Sequence, residues 1–266
     1  MDKLQKEYPA APLAKRASFG RKLRRALFFL RGYFFPCACA LCDAPLAGIN
    51  ENWYGLCEEC RHSLEAEAEK HCEKCGRPLV SEKNICMACR RGQAGSCDRI
   101  KVFFPYSGKN RKLLAEYKFG KNRALGNFFA EKITQFLAEN VKTAGTALVP
   151  VPPRPGKIKE KGWDQVEYLA SLLEKQGLPG GMKVCRCLKR LKSGAQKELS
   201  RKERMENLKN RIVLRGDAHQ CVRGSVHECV MIIDDVITTG ATLDACASAL
   251  KSGGVKKVHG LCLFYD

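Results

Sequence analysis

Residues 230–242, Val-Met-Ile-Ile-Asp-Asp-Val-Ile-Thr-Thr-Gly-Ala-Thr, constrain this chain more than any other stretch. Val230 to Ile233 is an uninterrupted apolar run, which predicts a strand buried on both faces. Two adjacent carboxylates follow, Asp234 and Asp235. Then comes Thr238-Thr239-Gly240-Ala241-Thr242, a loop of small and hydroxylated residues. A helical pattern begins after it, with Leu243, Ala247 and Leu250 on one face, and closes at Ser252-Gly253-Gly254. A strand, a small-residue loop and a helix start together favour an anion, because free backbone N–H groups and the positive end of the helix dipole point into the loop. Gly240 lets the backbone approach a ligand closely. The two aspartates repel a phosphate, but they accept hydrogen bonds from vicinal hydroxyls and suit a divalent cation through oxygen. Phosphate beside diol describes a sugar phosphate such as a ribose 5-phosphate. The plainer reading is a buried strand ending in a helix cap, and the acid pair together with the loop favours the ligand site.

At 266 residues the chain has room for one large domain and a smaller one, and its apolar content of 45% is ordinary. A formal charge of +19 and an isoelectric point near 9.4 are not ordinary. They speak of partners: nucleic acid, anionic lipid or phosphorylated ligands. A solvated basic surface is the alternative. No stretch reaches the apolar length of a membrane span, and nothing resembles a signal peptide. The reading is a cytoplasmic protein with reduced thiols.

The 16 cysteines fit that reading, because eight of them form four C-x-x-C pairs: Cys39/Cys42, Cys57/Cys60, Cys72/Cys75 and Cys86/Cys89. Two intervening residues are what a knuckle needs to aim both sulfurs at one tetrahedral Zn²⁺. Sequential pairing gives two Cys₄ sites, and interleaved pairing satisfies the spacing equally. Cys37 and His71 read as neighbours of the ligands. No His-Glu arrangement accompanies the pairs, so the zinc is structural. Ribbons of this kind bind nucleic acid or protein, or brace a neighbouring domain. Cys185, Cys187, Cys221, Cys229, Cys246 and Cys262 read as small buried apolar residues.

Three domains are expected. Residues 1–36 form a basic arm, partly disordered to Gly20 and then amphipathic through Leu23, Leu27, Leu30 and Phe34. The amphipathic part has three readings: a packing helix, a nucleic-acid contact, or an association with the inner face of the membrane. Residues 37–92 form the zinc-ribbon module. Residues 98–266 alternate between strand-like and helix-like stretches, which predicts an α/β parallel sheet flanked by helices. Strands are expected at Ile100–Tyr106, Ala147–Pro152, Met182–Leu188, Ile212–Leu214, Val230–Ile233 and Val255–Phe264. Helices are expected at Lys109–Lys118, Asn122–Glu139, Gln165–Lys175 and Lys202–Leu208. Ligands in such sheets sit beyond the carboxyl ends of the strands, where Asp234, Pro150-Val151-Pro152 and a loop at Lys157–Gln165 gather. Basic residues concentrate at 101–123 and 183–215 in excess of what one ligand needs, which suits single-stranded DNA tracked by its phosphates. Tyr117, Phe119 and Trp163 lie near these runs.

Residues 230–242 resemble the phosphoribosyl pyrophosphate (PRPP) loop of the type I phosphoribosyltransferases. The resemblance implies that Asp234 and Asp235 take the ribose hydroxyls, while Thr238, Thr239, Gly240, Ala241 and Thr242 wrap the 5-phosphate. Lys118, Lys159 and Lys161 are then candidates for the pyrophosphate side, with Mg²⁺ accompanying PRPP.

The whole chain resembles the ComF family of competence-associated proteins, which join a zinc ribbon to a phosphoribosyltransferase-like domain. The likeness runs through Phe35-Pro36, the four C-x-x-C pairs, Tyr106-Ser107-Gly108, Lys118-Phe119, Val149-Pro150-Val151-Pro152 and Gly162-Trp163-Asp164-Gln165. It continues through Arg190, Lys192, Ser193, Gln196, Leu199, Arg204 and Asn207 to the PRPP loop. The family pattern Arg-x-Arg-Gly-Phe-Asn-Gln is here Lys159-Glu160-Lys161-Gly162-Trp163-Asp164-Gln165, which keeps the charge and loses the bidentate Arg geometry. Two functions follow from the resemblance. One is a protein of DNA uptake in natural transformation, binding PRPP and single-stranded DNA beside a helicase or recombination partner. The other is an active phosphoribosyltransferase in nucleotide salvage.

Overall fold

The computed structural model describes residues 37–66, 70–79, 83–92, 95–106, 108–142, 145–192, 211–216 and 229–266. The basic arm at 1–36, the helix expected at Lys202–Leu208, the Ser193–Asn207 part of the family pattern, Ser107 and Cys221 lie outside the described residues.

The apolar runs expected as buried strands become one parallel sheet. Its strands are β1 (Arg99–Pro105), β2 (Thr146–Pro150), β3 (Lys183–Val184), β6 (Cys229–Ile237) and β7 (Lys257–Tyr265), in the order β1-β7-β6-β2-β3. Every pair is parallel, with Ile232 level with Val149 on one side and Gly260 on the other. The strand carrying the acid pair is thus the middle of five, and Val230 through Asp235 are all buried. It runs four residues beyond the expected end at Ile233, so both aspartates belong to the strand and not to the loop. The stretch expected as one strand at Met182–Leu188 divides. Lys183–Val184 joins the sheet, and β4 (Leu188–Arg190) turns away to pair antiparallel with β5 (Ile212–Leu214). The expectation ran them together because Cys185 and Cys187 continue the apolar run.

Two packed layers cover the sheet. On one face lie α4 (Gly108–Lys118), α5 (Ala124–Asn140) and α7 (Gln165–Gln176). They enclose an aromatic cluster of Phe104, Tyr117, Phe128, Phe129 and Phe264, with Phe104 and Phe264 centroids 5.5 Å apart. On the other face α8 (Ala241–Ser252) packs Leu243, Cys246 and Leu250 against Val102, Val149, Ile232 and Cys262. Cys185, Cys187, Cys246 and Cys262 are buried as expected of small apolar residues, and Cys97, in the same core, donates its thiol toward the Leu243 carbonyl at 3.8 Å.

The cysteine segment carries three short helices, α1 (Ile49–Tyr54), α2 (Glu58–Ala66) and α3 (Met87–Arg90). Its first half docks on α5 and shares the aromatic core. Leu46, Leu56 and Leu64 are buried there, Asn127 Nδ2 donates to the Trp53 carbonyl at 2.9 Å, and the Tyr54 hydroxyl meets Glu131. The second half docks on the edge strand β1. Ile100 N–H donates to the Glu73 carbonyl at 3.0 Å. A Cβ on Gly76, whose φ is +72°, would stand 2.7 Å from Val102 Cγ2. Only glycine allows this approach.

Candidate functional site

Each cysteine quartet converges, and sequential pairing is the one observed: Cys39/Cys42/Cys57/Cys60 and Cys72/Cys75/Cys86/Cys89, with all ligand sulfurs of a group within 4.8 Å of one another. The closest cross-pair sulfurs are 3.6 Å apart (Cys42 and Cys57) and 3.7 Å apart (Cys75 and Cys86). Tetrahedral Zn–S bonds of about 2.3 Å place sulfurs about 3.8 Å apart, so the quartets fit structural zinc. In each, burial pushes the first thiol upward, but backbone N–H groups outweigh it and hold Cys39 and Cys72 down to about 7. Neither quartet leaves a ligand position for substrate.

The other site lies at the carboxyl ends of β6 and β2, in a cleft of about 510 Å³. Asp234 and Asp235 form its floor, 7% and 8% exposed. The register places them side by side yet in unlike surroundings. Burial, then the neighbouring charge of Asp235, push Asp234 well above the usual carboxylate range. Burial would raise Asp235 as well, but Lys118, with its Nζ 3.3 Å from Oδ2, and the Gln165 amide hold it low. The two carboxyls are therefore driven in opposite directions, and Asp235 is the one held toward its charged form.

A chain of buried contacts orients that charge. Gln165 Nε2 donates to Asp235 Oδ2 at 2.6 Å, and Lys157 Nζ donates to Gln165 Oε1 at 2.6 Å and to Asp164 Oδ2 at 2.5 Å. Asp164 Oδ1 caps α7 by accepting from Val166 and Glu167 N–H. The Tyr117 hydroxyl donates to the Gln165 carbonyl at 2.7 Å. Asp164 stands where the family pattern has Asn, and here its carboxylate both caps the helix and pairs with Lys157.

The phosphate-type loop opens between the strand and α8. Thr238 and Thr242 line the cleft; Gly240, at φ +79°, is the residue before the helix, and Thr239 Oγ1 accepts from Ala241 N–H at 3.4 Å. The wall facing the acids carries Lys118, Arg154, Lys157 and Arg190. Arg190 Nε is buried and makes no hydrogen bond among the described residues, and its charge acts on Asp234.

Of the three lysines proposed for the pyrophosphate side, Lys118 reaches the acids, while Lys159 and Lys161 are exposed and outside the cleft lining. The expected loop at Lys157–Gln165 begins instead as a one-turn helix, α6 (Lys157–Lys161), between Gly156 and Gly162, both at positive φ. The turn points Lys157 inward and its next two lysines out. Lys157 belongs to the loop expected at the cleft, whereas Arg154 and Arg190 were not foreseen as cleft cations. Tyr117 and Trp163 are core residues, packed edge to face with centroids 5.6 Å apart; Phe119 alone of the three aromatics is exposed, at 70%, and lines the cleft. In the basic run 101–123, Lys101 lies over Phe103 and Phe136, Arg111 over Tyr106 and Arg123 over Tyr168, and Lys112 pairs with Asp43.

Residues 30–90 match the family model described as a double zinc ribbon domain. Over 231 residues, 85% of this chain and 96% of the relative, the sequence is 26% identical to Competence protein F of Haemophilus influenzae. It is 25% identical over 212 residues, 78% of this chain and 86% of the relative, to Competence protein ComFC of Streptococcus pneumoniae. The chain is thus similar to these competence proteins over most of its length, and its first part to a double zinc ribbon. A further relative is the DNA utilization protein YhgH of Escherichia coli K12, 25% identical over 232 residues, 86% of this chain and 96% of that one. These alignments extend well past the ribbon, so the likeness includes the sheet and its cleft. Among the described residues no helix is long and apolar enough to cross a membrane.

Proposed function

We propose that the cleft binds PRPP, or a related ribose 5-phosphate, and that the protein acts in DNA uptake, where it also binds single-stranded DNA. The observation that carries this reading is the acid pair at the end of the central strand, with the small-residue loop on one side and four cations on the other. Asp234 and Asp235 would accept from the ribose hydroxyls. Thr238, Thr239, Gly240, Ala241 and Thr242 would hold the 5-phosphate, and Lys118, Lys157 and Arg190 the pyrophosphate. Four carboxylates also line the cleft (Asp164, Asp234, Asp235 and Asp266), so a polyanion needs added positive charge to enter. A Mg²⁺ carried with PRPP supplies it, and the hard oxygen donors of the acid pair suit that ion. The role in DNA uptake rests on relatives named as competence and DNA utilization proteins, and on the charge of +19.

A second reading is phosphoribosyl transfer. Arg190 favours it, because a buried guanidinium N–H without a partner is a donor available to a leaving pyrophosphate. The ribose C1–O bond would break with its electron pair going to pyrophosphate, and an acceptor nitrogen would form the new bond. Calorimetric titration with PRPP and Mg²⁺, followed by a pyrophosphate-release assay over nucleobases and single-stranded DNA, separates the readings. Binding without release supports the first, and binding with release on one acceptor supports the second. Absence of PRPP binding overturns both. The double variant Asp234→Asn, Asp235→Asn is expected to lose PRPP and keep DNA; loss of DNA binding with the fold intact would sink the two-site picture.

A further inference from the structure

A second and larger cavity, of about 750 Å³, lies between the second cysteine quartet and the sheet. Its volume falls in the range of small-molecule pockets. Thr238 lines both cavities, Thr242 the cleft, and Thr239, Gly240 and Ala241 the new cavity, so the 238–242 loop is the partition between them. The chemistry of the new walls differs from that of the acid-floored cleft. The ribbon contributes Lys74, Arg77 and Ala88 beside the ligands Cys75 and Cys89, and the sheet side contributes Ile100, Leu243 and Tyr265. Lys74 is half-buried, and its ammonium makes no ion pair among the described residues. Arg77 and Tyr265 interact at the cavity wall. Asp244 is the one carboxylate among the described lining residues, and its Oδ1 already accepts the Ser96 N–H.

An apolar floor, an aromatic ring and two cations together suit an anion that carries a flat ring. We infer that the cavity between the second zinc knuckle and the sheet is a nucleotide site, separate from the Asp234/Asp235 cleft. The heterocycle lies against Tyr265 and the aliphatic wall, and the phosphate pairs with Lys74 and Arg77. The site shares its 238–241 wall with the loop given to the 5-phosphate, but it rests on Lys74, Arg77 and Tyr265, which are outside the cleft. The ribbon is one of its walls, so the second quartet shapes a binding surface.

Thymidine 5′-monophosphate is the probe, because it lacks the vicinal diol that an acid pair would grip. Calorimetric titration uses the full-length protein carrying zinc at both quartets. Binding is expected in the wild type, and in Asp234→Asn, Asp235→Asn its affinity stays within about twofold. Lys74→Glu reverses the free charge and Ala88→Trp fills the cavity, and each weakens binding by about tenfold or more. PRPP binding is expected to be lost in the aspartate variant and kept in Lys74→Glu. Retention of full zinc content shows that Ala88→Trp has folded, and Lys74→Glu, a change at a partly exposed lysine, carries the test if it has not. Unchanged affinity in Lys74→Glu and in folded Ala88→Trp, loss in the aspartate variant, or no binding up to millimolar probe would each overturn the assignment. Displacement of the probe by an oligothymidylate identifies a nucleic-acid strand as the natural source of the nucleotide; failure to displace it identifies the free molecule.

Discussion

The two cysteine quartets have the same ligands and nearly the same geometry, yet they are set into the molecule differently. The first is continuous with the core: Leu46, Leu56 and Leu64 pack with Phe128 and Leu125, and Tyr54 meets Phe128 edge to face with centroids 6.5 Å apart. The second meets the sheet through one backbone hydrogen bond, a close-packed glycine and Arg77, and leaves a cavity behind it. Metal ligation fixes only a knuckle. What a knuckle does is decided by the residues around it. Around the first they fill space, and around the second they enclose it.

The strongest way to break this comparison is to remove one quartet at a time. Cys39→Ser with Cys57→Ser exposes the seam between ribbon and core, and the expected loss is more than about 4 kcal/mol. Thermal unfolding and a zinc content of one ion per chain would report it. Cys72→Ser with Cys75→Ser is expected to cost about 2 kcal/mol or less and to leave the near-UV circular dichroism of the aromatic core unchanged. Equal losses in the two variants would erase the distinction.

Smaller effects sharpen the picture inside the cleft. Asp234 has its folded pKa raised, so its contribution to stability is complete below the unfolded value and is lost as pH rises through the folded one. Asp234→Asn removes that loss and should stabilise the protein by about 1 kcal/mol at neutral pH, with the gain fading toward about pH 4. Asp235 has its folded pKa lowered, so it stabilises above the unfolded value, and Asp235→Asn should cost about 1 kcal/mol at neutral pH. Melting curves of the two variants across pH test these opposite signs; shifts of the same sign would overturn the opposed shifts of the two carboxyls. Lys112→Ala breaks an exposed pair with Asp43, and a loss near the limit of measurement that salt abolishes is expected.

The parts of this fold that were legible in the sequence are those where local chemistry decides. The apolar run before Asp234, the small residues after it and the C-x-x-C spacing each leave few alternatives. The pairing of the quartets was not legible, because spacing is the same for sequential and interleaved arrangements. The inward turn of Lys157 was also hidden. It depends on Gln165 and Asp164 being carried to the cleft by α7, a tertiary event with no local trace. Tyr117 and Trp163 lie in basic surroundings in the sequence and are nonetheless core: helix periodicity turns Tyr117 inward, and Trp163, between α6 and α7, packs on Tyr117 and Tyr168.

The sheet has an open side at β1, which pairs only with β7, and the second ribbon sits there. The Glu73 carbonyl takes the Ile100 N–H, and Gly76 lies tight against Val102. A strand at the margin of a sheet is a template for pairing with another chain unless something blocks it. The knuckle is therefore a cover as well as a wall. Oxidation or chelation that opens it would uncover the backbone of an apolar strand, and self-association of otherwise folded molecules would follow from the loss of a single ion.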